Sequence, residues 1–151
     1  MEKVLISSCL LGLKTRFDGE MCFDPRVKTI EKQYTVIPLC PEILGGLSTP
    51  RKPATIEKGD GKKVWEENIP IVLRTGEDVS HNFRKGAQQM LDFAKFLHVK
   101  RIILKENSPS CGLFCTNVSF ERVKGIGVTA YLLKKNGFIL HTIASFLERN
   151  P

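Results

Sequence analysis

Apolar and polar positions change period several times along this chain, and each change marks an element. Residues 3–8, "KVLISS", alternate and carry branched side chains, the signature of a strand. "YTVIPL", "RIILK" and "FILHT" predict three more strands, and an apolar "IPIVL" run lies between the second and third. Helical spacing is clearest at Phe83, Ala87, Met90, Leu91, Ala94 and Leu97, with Ser80 as a plausible cap. "GIGVTAYLLKKNG" predicts a glycine turn into a helix ending at Asn136-Gly137. A short helix is expected from Pro25 to Gln33, and a terminal one over "IASFLERN". "TIEKGDGKKVWEEN" predicts a hairpin turning at Gly59-Asp60-Gly61, and "PEILGGLSTPRKP" an ordered loop.

Strands alternating with helices place the chain in the α/β class. The expectation is a single domain over residues 1–151, built on a mostly parallel, doubly wound (Rossmann-like) sheet with helices on both faces. Ligands of such sheets bind beyond the carboxyl ends of the strands. Cys9, Cys40 and Cys111 each follow a predicted strand, so three thiols are expected to converge on one edge of the sheet.

Composition narrows the class. The chain has 151 residues, enough to bury a core without covalent staples, and is 42% hydrophobic and 26% charged. No apolar run is long enough to span a bilayer, and the start "MEKVLISSCLLGLK" lacks a small-residue cleavage site, so the expected location is the cytoplasm. A net charge of +7 attracts phosphorylated metabolites and polyanions alike. The basic residues are dispersed, and no helix-turn-helix, RRM or KH signature accompanies them.

The five cysteines carry more. Their odd number and the expected compartment argue against a disulfide framework, and their spacing contains no C-x-x-C. A convergent set of three thiolates suits zinc or an iron–sulfur cluster, while isolated cysteines often serve as small buried hydrophobes. Pro41 and Pro109 stiffen two of the three loops, and Gly45, Gly46 and Gly112 let backbone approach a bound object. Glu42, two residues after Cys40, is a candidate acid or base, and Ser108 and Ser110 are candidates to orient a substrate. "GIGVT", with the Thr129 hydroxyl, is a candidate anion site at a helix start, with Arg16 or Arg51 as the cation. A thiol hydrolase using Cys111, with His81, His98 or His141 as base, remains a further alternative.

The segments "SSCLLG", "RFDG", "CPEILGGLSTPRKP", "SPSCG" and "GIGVTA" occur in an order that resembles the thiouracil desulfidase family, over roughly residues 4–142. The resemblance implies a 4Fe–4S enzyme that removes sulfur from a small thiolated pyrimidine, thiouracil or 4-thiouridine monophosphate, giving the oxo base and hydrosulfide. It also implies that Cys9, Cys40 and Cys111 hold the cluster and leave one iron open, and that Glu42 and Ser108 are catalytic. Cys22 and Cys115 match no ligand position, and Cys115, four residues from Cys111, could compete for iron. After "SPSCG" the chain reads "LFCTNVSFERVKGIG", a departure from the family pattern expected to bear on substrate identity. An RNA-binding or tRNA thiolation-related protein and a zinc-binding structural domain are the alternatives.

Overall fold

In a computed structural model the described residues are 1–149. Strands β1 (Glu2–Ser7), β2 (Tyr34–Leu39), β5 (Arg101–Ile103) and β8 (Ile139–His141) form a parallel sheet in the order β2-β1-β5-β8. The register pairs Ser7 with Leu39 and Ile6 with Ile103, so the ends of β2, β1 and β5 lie side by side. β1 connects outward to β2 on one side, and the chain later returns to place β5 on the other. That reversal is the switch point at which sheets of this kind hold ligands.

Both faces of this sheet are covered. On one, Leu5, Ile102 and Leu104 pack against Met90, Leu91 and Ala94 of α4 (Ser80–Phe96) and against Ala130 and Leu133 of α5 (Val128–Lys135). On the other, Val4, Ile6 and Ile103 meet Val27 and Ile30 of α1 (Val27–Ile30) and Ile143 and Phe146 of α6 (Ile143–Arg149). The alternation of β1 divides Val4 and Ile6 from Leu5, which is how one strand feeds two cores. Asn150 and Pro151, and hence the last residue expected in the terminal helix, lie outside the described residues. No helix among the described residues is long and apolar enough to cross a membrane.

A second sheet, in the order β4-β3-β6-β7, was not legible as such. It comprises β3 (Ala54–Ile56), β4 (Ile71–Leu73), β6 (Cys115–Val118) and β7 (Glu121–Lys124). β3 pairs antiparallel with β4 and parallel with β6, and β6 with β7 form a hairpin. A third cluster, including Ile56, Ile71, Val79, Phe83 and Val128, ties this sheet to α4 and α5.

Three local expectations are corrected. Residues 55–68 do not form a hairpin: Asp60 accepts from the Lys62 N–H at 3.1 Å and caps helix α3 (Gly61–Glu67). The helix carries Lys62–Glu66 and Lys63–Glu67 pairs four residues apart and seats Val64 and the Trp65 indole, which donates to the Val128 carbonyl at 2.9 Å. β3 and β4 still pair, with a helix in place of a turn. Ser80 is not the cap of α4: Asp78 accepts from the Ser80 N–H, and the Ser80 hydroxyl accepts from the Ile71 N–H of β4. The segment 41–53, expected as loop throughout, opens with helix α2 (Pro41–Leu44).

Candidate active site

Each cysteine-bearing loop is fixed by local chemistry. After β1 the chain tightens into a 3-10 turn, Ser8–Leu11, which carries Cys9 and ends at Gly12 in the left-handed region (φ 89°). Cys40 stands as N-cap of α2, with Pro41 at the first helical position, where its missing N–H costs nothing. In "SPSCG" the Ser108 hydroxyl oxygen accepts from the N–H groups of Ser110 (3.1 Å) and Cys111 (3.0 Å), which curls the loop and sets Cys111. With both lone pairs engaged, the Ser108 hydroxyl keeps its proton as the hydrogen-bonding capacity open to a ligand.

The three loops meet at one cavity of about 360 Å³, lined by Cys9, Cys40, Cys111, Glu42, Ser108, Arg16 and Arg51 among others. The thiols are close enough for their charges to oppose one another. Burial foremost, then the Cys40 charge, pushes the Cys111 thiol up to about 12. Burial also raises Cys40, against N–H groups of Ile43 and Glu42 that favour its thiolate. Cys9 is raised mostly by a hydrogen bond with Cys22, then by burial, then by Cys111 and Cys40. Burial and the neighbouring charges thus favour the protonated form of all three thiols, and a metal that binds them displaces those protons.

Among the described residues, no three His, Cys, Asp or Glu side chains gather around a point that a single metal ion would occupy. Three soft donors spread around a shared cavity fit a multi-iron cluster, a group larger than one ion.

Glu42 is held by Arg51. The guanidinium donates to the Glu42 carboxylate at 2.5 Å, to the Thr15 carbonyl at 3.1 Å and to the Ser48 carbonyl at 3.2 Å. Its side chain is 6% exposed and that of Glu42 17%. Arg51, expected as a substrate cation, thus uses three hydrogen bonds to position Glu42 and to anchor the Thr15 and Ser48 carbonyls. Arg16 pairs loosely with Asp18 at 3.6 Å, lies 5.8 Å from the Phe17 ring, and remains half-exposed on the cavity wall.

Thr129 and Ser110 are placed elsewhere. Both are buried, their hydroxyls bond each other at 2.8 Å, and neither lines the cavity. The start of α5 is not an anion site, because carbonyls of the cysteine loop already take its N–H groups: Gly127 to Gly112, Val128 to Pro109, Thr129 to Ser110. These contacts are so close that a Cβ on Gly127 would meet the Ser110 carbonyl. "GIGVT" is the platform on which "SPSCG" rests. Cys115, on β6, has its sulfur 4.0 Å from the Arg122 guanidinium and does not line the cavity. Neither do His81, His98 or His141, so Cys111 has no imidazole base there.

The second sheet supplies the wall that the sequence did not reveal. Arg74, Asn117 and Phe120 line the cavity. Thr55 bonds the Asn117 side chain at 2.5 Å and accepts from the Phe120 N–H at 2.9 Å. Ser119 and Phe120, the two turn residues of the β6–β7 hairpin, have φ of 50° and 62°, and the Arg74 guanidinium sits 4.1 Å over the Phe120 ring. A bulky residue in the left-handed region is strained, and the stacked cation and the Thr55 bond hold it there.

Known proteins extend these observations. Over residues 4–144 the chain matches the model of a family described as 2-thiouracil desulfurase. It is 41% identical to the uncharacterized protein YbbK of Bacillus subtilis (strain 168) over 138 residues, 89% of this chain and 91% of that protein. A solved structure titled [4Fe-4S]-dependent thiouracil desulfidase TudS superposes with a TM-score of 0.83 at 31% identity, covering 98% of this chain and 95% of the other. With the family model spanning nearly every residue, from β1 to the start of α6, the chain belongs to the 2-thiouracil desulfurase family.

Proposed function

We propose that this chain is an iron–sulfur desulfidase that converts a thiolated pyrimidine, thiouracil or 4-thiouridine monophosphate, to its oxo form and hydrosulfide. The observation that carries the reading is the arrangement of Cys9, Cys40 and Cys111, from three adjacent strand ends, around one cavity with Glu42 in its wall. Membership of the family and the likeness to TudS support it. Cys9, Cys40 and Cys111 would hold a 4Fe–4S cluster, three protein ligands for its four irons. When bound, the cluster supplies an electron-withdrawing iron for the thiocarbonyl sulfur.

The chain's own groups do the rest. Glu42, fixed by Arg51, takes a proton from the water that adds to the thiocarbonyl carbon. Ser108 donates its free hydroxyl proton to the ring or to that water. The exchange of thiocarbonyl sulfur for water oxygen leaves oxidation states unchanged. Arg16, Arg74 and Lys105, the cations of the wall other than Arg51, face a substrate phosphate where one is present.

The test is anaerobic reconstitution with iron and sulfide, followed by desalting, metal and sulfide analysis, and turnover of thiouracil and 4-thiouridine monophosphate. About four irons per chain, lost in Cys111→Ala, with turnover lost in Glu42→Gln while iron stays bound, is the expected result. A chain that retains no iron overturns the reading.

A further inference from the structure

Cys22 has no part in the proposed chemistry, yet it stands beside a residue that does. Its N–H donates to the Cys9 carbonyl at 3.2 Å, which draws the 12–24 loop back over the 3-10 turn. The side chains follow: Cys22 packs against the apolar cluster that contains Cys9. Cys22 does not line the cavity, and it is half-buried where Cys9 is 9% exposed. All five cysteines are free.

We propose that Cys9 and Cys22 are a redox pair, in which a peroxide-class oxidant closes a reversible Cys9–Cys22 disulfide that takes Cys9 out of the ligand set and shelters it. The closing of the disulfide rests on the backbone bond between Cys22 and Cys9 and on their shared apolar cluster. Its meaning for a cluster rests on the reading given under Proposed function. Neighbouring residues joined by an N–H to carbonyl bond bring their Cα atoms into the range that disulfides span.

The step balances with hydrogen peroxide. The more accessible Cys22 sulfur attacks the peroxide O–O bond, giving a sulfenic acid and water. The Cys9 sulfur then attacks the Cys22 sulfur, forming the S–S bond and releasing a second water. Two thiols lose two electrons and two protons, and one peroxide is reduced. A dithiol reductant reverses it by exchange. Without Cys22, an oxidised Cys9 has no adjacent thiol beside its turn to capture it and proceeds toward the irreversible sulfinic acid.

The test uses the full chain freed of iron by a chelator, treated with one equivalent of hydrogen peroxide, alkylated, and mapped by mass spectrometry after trypsin. Cleavage after Lys14 and Arg16 puts Cys9 and Cys22 in separate peptides, 4–14 and 17–26. The expected result is those two peptides joined, with Cys40, Cys111 and Cys115 alkylated. In a parallel treatment with excess peroxide, since the sulfinic acid takes two equivalents per thiol, followed by dithiothreitol, wild type should recover iron binding, whereas Cys22→Ser should recover severalfold less and carry sulfinic acid at Cys9. A link through Cys40 or Cys111 in wild type, or Cys22 found fully alkylated, overturns the proposal. Iron uptake by the never-oxidised protein reports on the cluster separately. A chain that forms the disulfide but never binds iron would refute the cluster and leave the pair standing.

Discussion

The Arg51 guanidinium and the Glu42 carboxylate meet at 2.5 Å in the wall of the cysteine cavity, and Arg51 also ties down the Thr15 and Ser48 carbonyls. Removing the arginine strands a carboxylate and two carbonyls. Arg51→Met is therefore expected to destabilise the fold, by less than the roughly 3–5 kcal/mol of a fully buried pair because Glu42 keeps one side toward the cavity. Urea unfolding reads this. In the reconstituted protein, kcat should fall with iron content unchanged, and Arg51→Lys should restore little, since one ammonium cannot replace a planar fork with three acceptors. Equal turnover in wild type and Arg51→Met would show that Glu42 needs no brace.

Gly86 and Gly45 let α2 lie directly on α4. A Cβ at Gly86 would meet the Pro41 carbonyl oxygen, and one at Gly45 the Asn82 carbonyl oxygen. In an open helix, Gly to Ala gains up to about 1 kcal/mol. Here the clash is with backbone and wins. Gly86→Ala is expected to cost roughly 1–3 kcal/mol. By pushing α2 away it should also lower iron retention, because Cys40 caps that helix and Glu42 lies in its first turn. Thermal unfolding and iron analysis on one preparation check both.

Asn117 is bound by Thr55 at one end of its amide and lines the cavity with the rest. An amide in that position can read the polar edge of a pyrimidine. Asn117→Ala should raise KM about 10-fold, the worth of one good hydrogen bond, with kcat little changed. The change should differ between 2-thiouracil and 4-thiouracil, whose polar edges are permuted. A uniform loss of kcat for both would instead mean that the hairpin supports the catalytic groups.

His141 closes β8 at 3% exposure, its Nε2 has no hydrogen-bond partner, and its ring meets Phe146 edge-on at 5.2 Å. Burial foremost, then the charges of Arg101 and Arg149, holds its imidazole below the ordinary 6.5. The native state keeps it neutral, while the unfolded chain takes up a proton as pH falls through 6.5. Below that point the unfolded state binds more protons, so stability falls with pH; above it this contribution is complete. Urea midpoints should drop between about pH 7.5 and about pH 5.5, and His141→Leu should flatten part of that slope. An identical slope in the variant would assign the titration to other groups.

The chain's own pattern determined the parallel sheet and the three thiols at its edge. Alternation in β1, the branched runs of β2 and β5 and the helical period of α4 are each local signals. A cysteine soon after each of three such strands implies convergence once the strands are parallel. "GDGKK" starts a helix where a hairpin turn is expected because the same glycine and aspartate chemistry serves either; Asp60 caps the helix through the Lys62 N–H, and its other carboxylate oxygen is held by the distant Ile126 N–H. The β6–β7 hairpin went unseen for a different reason. Its turn is Ser119-Phe120 with no glycine or asparagine, a conformation held by Arg74 and Thr55, which are distant in sequence. The fates of Arg51, Ser110 and Thr129 are likewise tertiary, because a hydroxyl or guanidinium has the same identity whether it serves a substrate or a neighbour. Nor could spacing pair Cys22 with Cys9, since the twelve residues between them had to fold back to bring them together. The sequence chose which groups stand at the strand ends; packing chose which of them are left free to react.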